Sequence, residues 1–279
     1  MELLHAIILG AVEGVTEFLP ISSTAHLTIT ESILGYHIAS PGVTAFTAVV
    51  QIGAIAAAVA YFWSDIVRIG TAWAKGIADT TKREVADYRL GWAIIIGIIP
   101  TVVLALIFKN AVETVFRSLW WVVIGLIGWS IVLWYADRQT ARVDDERQLS
   151  NRHAFIIGTV QAISLIPGVS RSGATMSAGL LLGYDRVAIT RLSFFLGIPV
   201  LLAAGLLQAV TKFDDISAHG IGWTPTIVAM IVAFIAGYTS IAWLLRFVST
   251  HTFSIFIWYR VILGISIALL LLTNTIYAT

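Results

Sequence analysis

Glu13-Gly14-Val15-Thr16-Glu17-Phe18-Leu19-Pro20-Ile21-Ser22-Ser23-Thr24-Ala25-His26 is the stretch on which the fold of this chain turns. It closes an apolar run that starts at Leu3, carries two carboxylates four residues apart, breaks at a proline and restarts with three hydroxyls and a histidine. A helix that crosses a bilayer needs about 20 apolar residues. Residues 3–21 come close but are compromised, and a second short helical stretch, 24–34, follows. Backbone that breaks at membrane depth is tolerated only where protein buries it or a wet cavity meets it. The pattern predicts a re-entrant hairpin over residues 3–36.

A second such place lies further along. Residues 154–166 are apolar but stop at Pro167-Gly168, and Ser172–Tyr184 restarts a helix, predicting a hairpin over 154–184. Ile8-Leu9-Gly10-Ala11-Val12-Glu13-Gly14 aligns with Ile156-Ile157-Gly158-Thr159-Val160-Gln161-Ala162, and the Pro-Ser punctuation aligns with one residue of slip. Six spans separate and follow these segments, at 43–63, 90–108, 118–136, 187–210, 223–245 and 251–275, charged only at Arg191 and Arg260. The expected fold class is an all-α polytopic membrane protein. It consists of a first repeat over 1–136, a cytoplasmic link at 137–152 and a second repeat over 153–279. A hairpin plus three spans puts the second hairpin on the opposite face, which is the mark of an inverted-topology repeat.

Composition agrees. Of 279 residues, 58% are hydrophobic and 12% charged, against about 25% charged in soluble domains; mean hydropathy is +0.89. A net charge of +1 gives no footprint for nucleic acid. The absence of cysteine excludes disulfides and thiolate or Cys-metal chemistry. The start, Met-Glu-Leu-Leu-His, has no basic n-region, so a cleaved signal peptide is not expected. Ten Lys and Arg residues fall in the three links on one side, against Lys109, Arg117 and Lys212 on the other. The positive-inside rule makes the first side cytoplasmic and both termini periplasmic. The 64–90 and 137–152 links read as solvated loops, and Trp121, Trp129, Trp134 and Trp223 as interfacial anchors.

Glu13 and Glu17 share a helical face, and each costs about 2.5–3.5 kcal/mol to insert at mid-bilayer. Two like charges there imply a shared proton or a cation. Gly10 and Gly14 let a neighbouring helix close on the same segment. Ser22, Ser23, Thr24 and His26 offer a nucleophile, a base and metal ligands just beyond, although either serine would also serve as a plain helix cap. Ser170-Arg171-Ser172-Gly173-Ala174-Thr175 opens a helix with the donors a phosphate wants: hydroxyls, first-turn amides and a guanidinium fork. Arg260 lies mid-span, Arg191 lies nearer a helix end, and Gln51 is placed to join the same polar network.

These paired motifs resemble the bacitracin-resistance family of undecaprenyl pyrophosphate phosphatases, over essentially the whole chain. The resemblance implies an integral enzyme of the bacterial inner membrane. It would remove the terminal phosphate of a C55 lipid pyrophosphate with Mg²⁺ or Ca²⁺, at a site open to the periplasm, and so recycle the carrier of cell-wall synthesis. It places the acidic motif on Glu13 and Glu17, a proposed nucleophile on Ser23, an active-site histidine on His26, and phosphate binding on Ser170, Arg171, Ser172 and Thr175. Ala25 stands where the family generally has glycine. The expected partner is the lipid substrate; a second copy of the chain is a further candidate, and nucleic acid is not. Ser23, His26 or a metal-bound water is each left open as the attacking group. A lipid-phosphate transporter is the main rival reading. The acid-phosphatase-like membrane superfamily fits less well, since Ser177 and Leu181 stand where its His and Asp belong.

Overall fold

A computed structural model describes residues 1–37, 40–113, 115–211, 215–216, 221–274 and 276. Lys212 and Thr275, which entered the charge count and the last expected span, lie outside them. The helices in chain order are α1 (Leu3–Thr16), α2 (Ser23–Ile33), α3 (Pro41–Tyr61), α4 (Trp63–Ala78), α5 (Ala86–Ile107), the short α6 (Lys109–Glu113) and α7 (Leu119–Ala136). They continue with α8 (Asn151–Gln161), α9 (Arg171–Leu181), α10 (Arg186–Thr211), α11 (Trp223–Val248) and α12 (Ser254–Leu272). Six of them, α3, α5, α7, α10, α11 and α12, are long and apolar enough to cross a membrane. Their bounds fall within a few residues of the expected spans. Hydroxyl and carboxylate caps set several starts: Ser118 for α7, Ser150 for α8 and Ser170 for α9, as expected of N-cap residues.

The chain forms two compact units. The first comprises Met1–Leu19, Ser23–Tyr61 and Ile198–Leu244. Its core gathers Leu9, Leu27, Val43, Phe46, Val50, Ala229 and Ala233. Gly10 and Gly14 are needed there, because a methyl group on either would collide with the carbonyl of Ala229 or Ala233. That close approach leaves Glu13 only 1% exposed.

The second unit comprises Pro20–Ser22, Phe62–Gly197 and Leu245–Thr279. In it α5 packs on α8, and α7 packs on α9 and α12. Residues 64–90, expected as a solvated loop, instead carry α4. Its buried Ile69 and Gly76, with Trp73, recur at helical spacing, and Trp73 packs on Gly91 of α5. The density of charge in that link hid its amphipathic period.

The 137–152 link is likewise structured. Leu149 is buried, Val143 bridges to Tyr184, and Glu146 accepts from Arg191 Nε at 2.7 Å. Arg191 also reaches Asp65 at 3.0 Å, and Arg68 pairs with both Asp65 and Asp87. Burial pushes the Asp65 carboxyl up, but hydrogen bonds and charge from Arg68 and Arg191 outweigh it and hold it below the usual carboxylate range. Arg191 is therefore an ion-pair partner of Glu146 and Asp65.

The two interrupted segments match in detail. His5 Nδ1 meets Tyr36 Oη at 2.8 Å, and His153 Nδ1 meets Tyr184 Oη at 3.1 Å, each pair edge-on. Ser22 and Ser170 hold φ of +75° and +73°, and Gly35 and Gly183 hold +80° and +90°. Every pair is 148 residues apart, as are Glu13 and Gln161. The slip therefore belongs to the prolines alone, and the serines align without it.

Candidate active site

The acidic candidate residues Glu13 and Glu17, with Ser23 and His26, lie in the first unit. Glu13 lies on the buried face of α1 and Glu17 is its C-cap; the two are 1% and 6% exposed. The chain turns after Leu19, and Ser22 takes up left-handed backbone before α2 begins. A non-glycine residue in that region costs about 1–3 kcal/mol and marks a turn held by its surroundings. Ser23, at the first position of α2, donates its hydroxyl to Glu17 Oε2 at 2.6 Å. His26 stands three residues on, on the same face of α2, and its carbonyl accepts from Thr30. Thr24 is exposed and Ser23 and His26 are half-buried. Gln51, on α3, is half-buried, and among the described residues its side chain makes no hydrogen bond to these groups.

Sequence reasoning missed one acid here. Glu31, 3% exposed, accepts from Thr47 at 2.6 Å. A lone charge in the 24–34 stretch was the available signal.

Two buried carboxylates on one helical face, with the Ser23 hydroxyl on Glu17, make a hard, anionic set. Mg²⁺ takes one or two protein carboxylates and fills the rest of its shell with water and substrate phosphate, so Glu13 and Glu17 fit such an ion. Among the described residues no group of three His, Asp or Glu side chains comes together, so an all-protein cage is not what this pair offers.

The candidate phosphate-binding residues Ser170, Arg171, Ser172 and Thr175 lie in the second unit. Ser170, at φ +73°, caps α9: its Oγ accepts from the Gly173 amide at 3.2 Å and lies 3.1 Å from Ser172 Oγ. The amide of Gly173, expected to face an anion, is thus already satisfied. Arg171 is half-buried and runs along α10, donating from Nη1 to the Ser193 carbonyl at 2.9 Å. A methyl group on Gly197 would collide with that guanidinium.

Thr175 is fully buried. It donates within 3.0 Å of Gln161 Oε1 and within 2.9 Å of the Arg171 carbonyl. Gln161 Nε2 donates to Thr101 at 3.0 Å, and Thr101 donates to the Gly158 carbonyl at 2.9 Å. Thr175, expected at the phosphate, therefore braces the backbone of Arg171 from beneath. Gln161 and Thr101 are the members of this brace that sequence reasoning did not identify, although Gln161 stood opposite Glu13 in the repeat.

Arg260, on α12, is also fully buried. It donates to the carbonyls of Pro20, Gly168, Gly125 and Val169 at 3.0–3.1 Å and to Ser130 Oγ at 3.0 Å. All these partners belong to the second unit. A lipid-facing position for it is excluded.

A family model described as bacitracin resistance protein BacA matches residues 6–266. The chain is 54% identical over the whole of both chains to a protein of Cutibacterium acnes named undecaprenyl-diphosphatase. It is 52% identical, again over the whole of both, to undecaprenyl-diphosphatase 3 of Frankia casuarinae. A protein of Acidothermus cellulolyticus, also named undecaprenyl-diphosphatase, is 47% identical over 98% of each chain.

Proposed function

The chain belongs to the bacitracin resistance protein BacA family, and from that premise we propose that it hydrolyses undecaprenyl pyrophosphate to undecaprenyl phosphate and inorganic phosphate. The observation that carries the chemistry is the 2.6 Å hydrogen bond from Ser23 to Glu17. A serine hydroxyl is a weak nucleophile until a neighbouring base takes its proton. A buried carboxylate in contact with that hydroxyl is such a base. In this reading Ser23 Oγ attacks the terminal phosphorus, its proton passes to Glu17, and the lipid phosphate leaves as the P–O bond to it breaks. Water then cleaves the phosphoserine, with His26 placed on the same helical face to accept the water proton.

Arg171 supplies a planar fork to the phosphoryl oxygens, held to its line by Ser193 and the Thr175–Gln161–Thr101 brace. Glu13 and Glu17 would hold the divalent ion, Mg²⁺ or Ca²⁺, which when bound supplies charge neutralisation to the pyrophosphate.

We further propose that α1–α2 and α8–α9 re-enter the membrane from opposite faces as an inverted repeat. The matched His–Tyr closures, the left-handed serines and the common offset of 148 residues support it, as does the odd number of spans per repeat. The site would then open to the periplasm and the C55 tail would lie in lipid. The test is phosphate release from the lipid pyrophosphate by purified protein in detergent. Release there also separates hydrolysis from transport, which needs two compartments; no release from folded, metal-supplied protein would overturn the reading.

A further inference from the structure

Arg260 is a permanent cation at 0% exposure in a membrane-spanning helix, and none of the acceptors around it is a carboxylate. Its three donor nitrogens are all in use. Nη1 bridges the Pro20 carbonyl at 3.0 Å and the Val169 carbonyl at 3.1 Å. Nη2 reaches Gly168 and Gly125 at 3.0 Å and Leu126 at 3.4 Å, and Nε reaches Ser130. Pro20 is the break of the first interrupted segment, and Gly168 and Val169 are the break of the second. One side chain therefore fastens both breaks to each other and to α7.

The peptide plane gives this tie a direction. In a trans peptide the C=O and the following N–H point opposite ways. Turning the carbonyls of Pro20, Gly168 and Val169 toward Arg260 turns the amides of Ile21, Val169 and Ser170 away from it. The residues after each fastened break are Ser22 and Ser170, the two left-handed serines, and after them Ser23 and Arg171. Neither serine would choose that backbone unaided, so something must hold it, and the carbonyls locked two residues before Ser22 and directly before Ser170 are placed to do so. Lysine cannot replace this: its three donors sit on one atom and cannot span acceptors spread over two turns and a helix.

We propose that Arg260 is the positioning residue of the reaction, holding the two turns so that Ser23 and Arg171 keep their aim. This rests on the phosphatase reading above. The first test is Arg260→Lys, assayed beside the unaltered chain in detergent with the lipid pyrophosphate. The expectation is a variant that purifies as a single folded species, with kcat reduced more than tenfold and KM within threefold, because the apolar tail still binds. A residue that only stabilises the fold would lower Tm and leave the kcat of the folded fraction alone.

The second test uses the absence of native cysteine. The pair Ile21→Cys and Val169→Cys should form a disulfide readily in the Arg260 chain and slowly in Arg260→Lys or Arg260→Gln. Closing it should return part of the lost kcat in the variant. A folded Arg260→Lys chain with kcat within twofold of the parent overturns the proposal. If no Arg260 variant folds, the doubly substituted chain decides. Turnover that survives the disulfide supports fixed turns, and turnover lost on oxidation and regained on reduction overturns them. An inactive parent chain would instead indict the phosphatase reading.

Discussion

Ser23 donates its hydroxyl to Glu17 across the break between α1 and α2, at 2.6 Å. Under the proposed mechanism the contact would give Glu17 a second task beside holding an ion, because the same carboxylate is in place to take a proton from Ser23. It also shifts the expected burden of His26, which sequence reasoning had paired with Ser23, toward the second half of the reaction.

Glu17→Gln keeps the shape and removes the base. General-base catalysis contributes typically about 10²–10⁴-fold, so kcat should fall by at least about a hundredfold, and Ser23→Ala should fall to background at every pH. His26→Ala should slow clearance more than attack, so quenched turnover should show more labelled enzyme. The label should be stable to acid and labile to base, as a serine phosphate is. A label with the opposite stability would assign the attack to His26.

Arg171 and Gly197 should fail together. Arg171→Lys gives up the planar fork, and Gly197→Ala places a methyl group where the guanidinium lies. Both should lower kcat by at least tenfold with the fold intact. An active Gly197→Ala chain would show that Arg171 works from another rotamer.

The ion expected at Glu13 and Glu17 is checked by titration. Glu13→Gln removes one hard anionic ligand, so the Mg²⁺ concentration giving half-activity should rise at least tenfold. An unchanged midpoint in both the Glu13 and Glu17 amides would favour a shared proton.

Acid should loosen the α4 network in a defined window. The Asp65 carboxyl lies below its ordinary value of 3.8, so the folded state binds its proton less readily than the unfolded chain does. Its stabilisation is therefore present above about pH 4 and is lost as pH falls through the depressed value. Asp65→Asn should lower Tm at pH 7, and the difference should shrink below pH 4. An equal difference at both pH values would sink the assignment.

Orientation follows from the basic residues. In a chain without native cysteine, Lys82→Cys should be shielded from an impermeant thiol reagent in intact cells, and Asn110→Cys should react. The reverse pattern would invert the topology.

The amino-acid sequence by itself determined the spans and the two breaks, because each depends on local quantities. Twenty apolar residues cross a bilayer, a Pro or a Pro-Gly ends a helix, and a buried carboxylate is expensive wherever its neighbours lie. Glu13, Glu17, Ser23, His26 and Arg171 stood out for that reason. The helix at Trp63–Ala78 escaped because its charge count was weighed and its period was not. What only tertiary structure decided is which donors meet which acceptors. Thr175, expected at the phosphate, is buried, and its partner Gln161 comes to it through the turn between α8 and α9. Arg260 carries no motif at all. Its acceptors are main-chain carbonyls at Pro20, Gly125, Gly168 and Val169, and a carbonyl is the same group at every residue, so no pattern of side chains could announce that meeting.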